Sequence, residues 1–112
     1  MKLTVGVIGC GNISRFHFSG LEKAGARVKW VCDISPERAQ QWAAKTGACV
    51  TADYRAIVKD PAVNTIVITA LSSLHKSMCM DAIHAGKAVI CEKTLAEDPA
   101  DALDIVRLAA RR

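Results

Sequence analysis

The sequence predicts an α/β protein built on a doubly wound parallel sheet, with strand order 3-2-1-4-5. Three observations favour this fold class. Apolar, β-rich runs alternate with segments of helical periodicity along the whole chain. Residues 65–70 form a continuous apolar run, as expected of a strand that is buried on both faces of a parallel sheet. The first apolar run ends at Gly9, and a helical pattern begins within a few residues.

The elements follow one another in a regular order. The first strand covers residues 3–8, and the helix after it ends at Gly25. The second strand covers residues 28–32. Ser35 as N-cap and Pro36 in the first turn begin a second helix, which Gly47 ends. Strand, helix, strand, helix, strand and helix are then predicted, in that order, at residues 49–51, 53–58, 65–70, 73–85, 87–91 and 97–112.

Length and composition limit the classes of protein. A chain of 112 residues with 51% hydrophobic residues predicts one domain, residues 1–112, with a five-stranded core. The net charge of +4 is mild and its positive residues are scattered, while 4% aromatic residues provide no stacking platform for nucleic acid. No run approaches the roughly 20 apolar residues of a membrane span. We expect neither a nucleic-acid nor a membrane partner.

The five cysteines do not form a recognisable framework. Their number is odd, no C-x-x-C pair occurs and zinc-ligand spacing is missing, so we expect no metal site and no disulfides. Cys32 and Cys91 fall within strand runs, where a thiol acts as a small hydrophobe. Cys10 lies in a loop near a helix N-terminus, a position that favours thiolate, although a small tolerated loop residue is the simpler interpretation. The pattern is typical of a reduced, cytoplasmic protein.

The turn after the first strand has the character of a phosphate-binding loop. Gly9 permits a tight turn, and Gly11 has no side chain to keep a pyrophosphate from the main chain. Asp33 follows the second strand, about 20 residues further on, where a carboxylate accepts hydrogen bonds from an adenosine ribose. A lone Gly-x-Gly is often only a structural βα turn. The presence of Asp33 favours a phosphate-binding loop over that alternative.

Glu92 and Lys93 end the fifth strand on the same edge of the sheet. Taken alone, they are typical of a surface ion pair, and His75 is typical of a residue that begins a helix. Together with the turn, they resemble one family, the Gfo/Idh/MocA oxidoreductases. The motifs that carry the resemblance span the chain: Gly9-x-Gly11-Asn12-Ile13 with His17 and Leu21, Asp33 to Ala39, Thr69 with Leu74-His75, and Ala82, Gly86-Lys87, Val89 and Glu92-Lys93.

The resemblance implies an NAD(P)-binding Rossmann domain of a dehydrogenase. Such an enzyme transfers a hydride between nicotinamide and a carbinol carbon of a sugar, polyol or related hydroxy compound. By resemblance, Lys93 is the catalytic residue beside the nicotinamide, and it binds or deprotonates the substrate alcohol. The residues expected to bind the cofactor are Gly9, Gly11, Asn12, Ile13, Asp33, Arg38, Ala70, Leu71, His75, Glu92 and Lys93.

NAD is expected rather than NADP. The Asp33 carboxylate pairs with a ribose 2′-hydroxyl and repels a 2′-phosphate, although Arg38 nearby could offset that repulsion. Two residues depart from the family pattern, because Ala70 and Thr94 stand where the family has proline. Without the second proline, the backbone next to Lys93 lacks the fixed φ that orients this side chain in the family.

Family members also carry a second α/β domain, which supplies substrate contacts and a catalytic histidine, and we expect it to be absent here. The chain alone should therefore bind NAD(H) without turnover. Apolar surface near the fifth strand and last helix should then favour a homo-oligomer. That surface is expected to include Leu103, Ile105, Val106 and Leu108. A silent NAD(H)-sensing module, an inactive fragment, or another Rossmann enzyme such as a methyltransferase remain alternatives.

Overall fold

The computed structural model describes residues 3–9, 14–69, 75–91 and 107–108. Within them, strands and helices alternate without exception. The elements are β1 (Thr4–Ile8), α1 (Ser14–Lys23), β2 (Arg27–Cys32), α2 (Pro36–Thr46), β3 (Cys49–Thr51), α3 (Arg55–Lys59), β4 (Thr65–Ile68), α4 (His75–His84) and β5 (Ala88–Cys91).

The strands form one parallel sheet in the order β3-β2-β1-β4-β5, which confirms the predicted topology. The pairing brings the carboxyl ends of all five strands to one level. Ile8 at the end of β1 pairs with the last residues of both neighbouring strands, and those pair in turn with the last residues of the outer strands. The residues that end the strands, in sheet order, are Thr51, Cys32, Ile8, Ile68 and Cys91.

Helices cover both faces of the sheet, as right-handed crossovers require. α1 and α2 pack on one face through Phe18, Leu21 and Ala39. α3 and α4 pack on the other, where Ile57 and Cys79 are fully buried. Because β4 lies under helices on both sides, all four of its residues are buried, as its continuous apolar run predicted.

α3 approaches the sheet closely at Gly6. A Cβ on this residue would overlap Cγ2 of Ile57, the buried side chain that α3 places over β1. The missing side chain therefore sets the depth at which this short helix packs, and α3 is the crossover that returns the chain from the edge strand β3 to the centre of the sheet.

Helix ends follow the predicted signals with small shifts. Gly47, with φ +76°, ends α2 and donates its N–H to the Ala43 carbonyl at 2.8 Å. Ser35 occupies the N-cap position and Pro36 the first turn, as predicted, although the Ser35 hydroxyl makes no capping hydrogen bond. The turn is instead held by Asp33, whose carboxylate accepts the Ser35 N–H at 2.8 Å.

The opposite edge of the sheet carries a polar network that the sequence did not predict. Val5 pairs with Val28 and Gly6 with Trp30, so Lys29 is an extra residue in β2, a β-bulge. The bulge allows two consecutive side chains to reach Asp60, in the loop before β4. The Lys29 ammonium lies 2.6 Å and the Trp30 indole N–H 2.8 Å from its Oδ2.

Two further groups complete this network. The Ala62 N–H donates to Oδ1 of Asp60 at 2.9 Å. Lys87, just before β5, donates to the carbonyls of Asp60 and Val63 at 2.8 and 2.6 Å. Lys29, then the N–H groups of Trp30 and Ala62, hold the pKa of Asp60 well below its usual range. We call Lys29, Trp30, Asp60 and Lys87 the amino-edge network, because they join β2, the start of β4 and the start of β5.

Near the end of the chain, Arg107 and Leu108 are helical, in agreement with a last helix, and the rest of residues 92–112 lies outside the described residues. Leu108 is buried against the cluster that contains α3 and α4. Its expected exposure is therefore wrong, because the core of that face extends to it. None of the helices in the described part of the chain has the length and apolarity needed to span a bilayer.

Candidate functional site

Gly9 follows β1 at the carboxyl edge of the sheet. Its φ of +91° lies where side chains are strongly disfavoured, so the turn needs glycine, as predicted. Its N–H donates to the Cys32 carbonyl at 2.7 Å, which fixes the start of the loop to the end of β2. The position at which the chain leaves β1 is therefore fixed relative to the end of β2.

Thr69 holds the same turn from the other side. Its N–H donates to the Ile8 carbonyl at 2.8 Å, and its hydroxyl donates to the carbonyls of Ile8 and Gly9. Sequence reasoning singled out Thr69 only as part of a motif. The signal that could have found this role is its place directly after a fully buried strand, because β1 and β4 are neighbours in the predicted order.

Asp33 follows β2 directly, next to Gly9 along the edge. It is partly buried, and the hydrogen bond from Ser35 N–H to its Oδ1 folds the chain into α2. This hydrogen bond from its own turn orients the carboxylate. Arg38 lies in the first turns of α2 and is exposed.

Ile34 is a feature of this edge that sequence reasoning missed. Two large apolar residues are exposed in the described part of the chain, Ile34 at 91% and Ile90 at 44%. The turn from Asp33 to Ser35 turns Ile34 away from the core. The available signal was an isoleucine between the end of a strand and a Ser-Pro helix start, where no core position is expected.

A second carboxylate lies beyond the neighbouring strand. The N–H of Asp53 donates to the Thr51 hydroxyl at 3.1 Å, and its Oδ1 accepts the Arg55 N–H at 3.0 Å. Burial, and then the charges of Asp33 and Asp53, raise the pKa of the Cys32 thiol to about 11. The two carboxylates follow neighbouring strands, whose last residues, Cys32 and Thr51, are paired.

The structure does not describe the side chains of the remaining predicted site residues. The backbone of His75 begins the described part of α4. The side chain of His75 lies outside the described part of the chain, as do Gly11, Asn12, Ile13, Ala70, Leu71, Glu92 and Lys93, and also Cys10. Of the expected cofactor-binding residues, Gly9 and Asp33 are thus placed side by side, with Arg38 on the adjoining helix.

Comparison with known proteins decides the family. The family model described as "Oxidoreductase family, NAD-binding Rossmann fold" matches residues 3–112. The chain belongs to the Gfo/Idh/MocA oxidoreductase family. It is therefore an NAD-binding Rossmann domain, which confirms the fold and the cofactor class that the resemblance implied.

Among curated Gfo/Idh/MocA relatives, inositol 2-dehydrogenase/D-chiro-inositol 3-dehydrogenase of Lactiplantibacillus plantarum is 40% identical over 106 residues, covering 91% of this chain and 30% of the relative. Among solved structures, the WlbA dehydrogenase of Chromobacterium violaceum, in complex with NADH and UDP-GlcNAcA, matches with a TM-score of 0.92 and 30% identity. That match covers 98% of this chain and 32% of WlbA.

A third relative carries the other cofactor. KijD10, a 3-ketoreductase from Actinomadura kijaniata in complex with NADP and TDP-benzene, has a TM-score of 0.90 and 26% identity, over 100% of this chain and 35% of KijD10. This chain thus spans about a third of the length of these relatives. The family fold accepts NADH in one member and NADP in another, so the choice depends on individual side chains.

The described residues of this Gfo/Idh/MocA domain fit a dinucleotide. At the left-handed Gly9 the main chain turns without a side chain, as close approach of a pyrophosphate requires. The neighbouring Asp33 holds a carboxylate at the end of β2, the position suited to a ribose. Both lie at the point where the strand order reverses, because β1 is followed on one side by β2 and on the other by β4.

Proposed function

We propose that this chain is the dinucleotide-binding domain, residues 1–112, of a dehydrogenase that oxidises or reduces a carbinol carbon of a sugar, polyol or related hydroxy compound. The observation that carries the proposal is the juxtaposition of Gly9 and Asp33 across the hydrogen bond from Gly9 N–H to the Cys32 carbonyl. The inositol dehydrogenase relative and the sugar-nucleotide complexes of the neighbours support the substrate class.

The chain's own residues bind and orient the cofactor, which supplies the hydride chemistry. Gly9 and Gly11 are proposed to bind the pyrophosphate, together with Asn12 and Ile13, which precede α1 in the sequence. Thr69 supports the turn at Gly9 through the Gly9 carbonyl. Support of this kind matters because a loop that binds through its backbone has few side chains with which to correct its position.

Lys93 is proposed as the group that binds or deprotonates the substrate alcohol, with Glu92, Ala70, Leu71 and His75 shaping the pocket. This assignment rests on the family motif and on the register of β5, whose last residue, Cys91, lies level with Ile68. The sequence places Glu92 and Lys93 immediately after it. A lysine acts as a base only where burial or nearby positive charge favours its neutral form.

The adenosine half of the cofactor is proposed to lie against Asp33 and Ile34. The Asp33 carboxylate accepts hydrogen bonds from ribose hydroxyls and repels a 2′-phosphate, which favours NAD over NADP. The exposed Ile34 side chain offers an apolar surface to an adenine ring. Covering it removes apolar surface from water, a gain of roughly 25 cal/mol per Å².

Calorimetric titration of the chain with NAD and with NADP tests this proposal. We expect NAD to bind more tightly than NADP. Asp33→Ala should narrow this difference in affinity, because it weakens NAD binding and removes the repulsion of the 2′-phosphate of NADP. Glu22→Ala, which removes an exposed carboxylate in the last turn of α1, near the opposite edge of the sheet, is the matched control and should leave the ratio of the two dissociation constants unchanged. Equal affinities of the unaltered chain for NAD and NADP would contradict the Asp33 assignment.

A further inference from the structure

The carboxyl edge of β3 carries a second acidic side chain with a fixed position. Cys32 at the end of β2 pairs with Thr51 at the end of β3, so the residues that follow these strands leave the sheet side by side. Asp53 is held in a tight turn by two hydrogen bonds with the Thr51 hydroxyl, each 3.1 Å long. Its Oδ1 also accepts the Arg55 N–H at 3.0 Å.

The charge of Asp53 is only weakly compensated. The nearest guanidinium nitrogen of Arg55 is 3.8 Å from Oδ1, and the two side chains are 66% and 61% exposed. A pair of this kind contributes little energy in water. Asp53 follows β3 at the level where Cys32, the buried residue directly before Asp33, ends β2, so the two carboxylates lie beyond neighbouring strand ends. In keeping with this placement, its charge adds to the effects of burial and of Asp33 in raising the pKa of Cys32.

We propose that Asp53 is a second specificity-determining residue, which disfavours NADP by long-range repulsion of the 2′-phosphate, whereas Asp33 acts by direct contact. The inference rests on the proposed adenosine position at Asp33. A 2′-phosphate adds about two negative charges that NAD lacks. Asp53 therefore acts on the difference between the two cofactors and leaves the affinity for NAD nearly unchanged.

The two carboxylates differ in how salt affects them. An interaction between charges separated by solvent is reduced strongly once the Debye length falls from about 10 Å at 0.1 M to about 3 Å at 1 M salt. A hydrogen-bonded contact at the ribose is screened much less. The Asp53 contribution should therefore disappear at high salt, while that of Asp33 persists.

Titration of Asp53→Asn with NAD and NADP at low and high salt provides the test. Asparagine keeps the oxygen that accepts the Arg55 N–H and removes the charge. We expect the preference for NAD to fall about threefold at 0.05 M salt, through tighter NADP binding, and to match the unaltered chain at 1 M. Asp53→Ser, also neutral and turn-compatible, should give the same result if asparagine lowers the thermal stability.

Glu22→Gln is the control, because it removes one charge from the last turn of α1, near the opposite edge of the sheet. It should not change the preference. An unchanged preference in Asp53→Asn at low salt, with intact discrimination by Asp33, would overturn the inference and leave the proposed function standing. Failure of the unaltered chain to bind either cofactor would overturn both.

Discussion

The two edges of the sheet use polar side chains in different ways. At the amino edge, Asp60 receives Lys29 and Trp30 from β2, and Lys87 bonds to carbonyls of the same loop. These bonds join segments that are roughly 25–30 residues apart in sequence. At the carboxyl edge, the carboxylates of Asp33 and Asp53 accept N–H groups only two residues further along.

This difference separates stability from recognition. The amino-edge network joins three segments to one another, so its hydrogen bonds stabilise the fold. At the carboxyl edge, Thr69 fixes the Gly9 turn, while the local turns at Asp33 and Asp53 present side chains at the surface, as the 91% exposure of Ile34 illustrates. Substitutions at the first edge should change the free energy of unfolding, and substitutions at the second should change cofactor affinity.

Gly11→Val should have the largest effect on binding. The branched side chain would occupy the space that a pyrophosphate needs, so NAD binding should be abolished while the fold is retained. Gly20→Ala is the matched control, because a Cβ there meets nothing within 4 Å. It should leave affinity unchanged and add about 0.5–1 kcal/mol of helix stability. Unaltered affinity of Gly11→Val in calorimetry would reduce the loop to a structural βα turn.

Asp60→Ala should have the largest effect on stability. It leaves the Lys29 ammonium and the Trp30 indole N–H without their acceptor, and we expect a loss of about 2–3 kcal/mol in urea unfolding. NAD affinity under folding conditions should not change. A stability equal to that of the unaltered chain would show that water replaces this network without cost.

The same residue predicts acid sensitivity. The folded-state pKa of Asp60 is depressed, so its contribution to stability is complete above its unfolded pKa of about 3.9 and is lost as pH falls toward the lower folded value. Stability should therefore decline below about pH 4. In Asp60→Asn, the decline over that range should be shallower, as measured by urea unfolding between pH 2 and pH 6.

Gly6→Ala should cost about 1–3 kcal/mol, because the new methyl group overlaps Cγ2 of Ile57. Combining it with Ile57→Ala should cost less than the sum of the two single changes. Ile57→Val keeps Cγ2 and should give no such relief. Additive free energies in the Ala/Ala pair would mean that α3 shifts without contacting Gly6.

The smallest effect is expected at Tyr54, the single tyrosine of the chain. Its hydroxyl donates to Oδ2 of Asp81 at 2.6 Å, and burial and this bond raise its pKa to about 12. An ultraviolet titration of the folded chain should show a midpoint near 12, and Asp81→Asn should lower it. The stabilisation is present below the unfolded pKa of about 10 and is lost as pH rises. A folded-state midpoint near 10 would exclude the bond.

Much of the fold could be predicted from the sequence because its signals are local. Continuous apolar runs and glycine stops located every strand, and parallel pairing then determined the order of the sheet. Boundaries differ by a residue or two, as at α3, which is predicted at residues 53–58 and found at Arg55–Lys59. The exposure of Leu108 was predicted wrongly because burial depends on contacts with α3 and α4, far away in the chain.

The site could be predicted only in part. Gly9 and Asp33 carry recognisable patterns, and the structure places them together. The roles of Thr69 and Asp53 depend on strand register, and the meeting of Lys29 with Asp60 depends on a bulge that no sequence pattern marks. The motif that contains Lys93 is informative, but the residue lies outside the described part of the chain. Its role therefore stays a prediction.

The most direct test of the separation between the two edges is an NMR titration of the isotopically labelled chain with NAD. We expect amide shifts to concentrate at Gly9, at Asp33 to Ser35 and at Thr69. The amides of Asp60, Ala62 and Lys87 should remain unchanged. Shifts concentrated at the amino-edge network, or spread evenly over the chain, would contradict the placement of the cofactor at the carboxyl edge of the sheet.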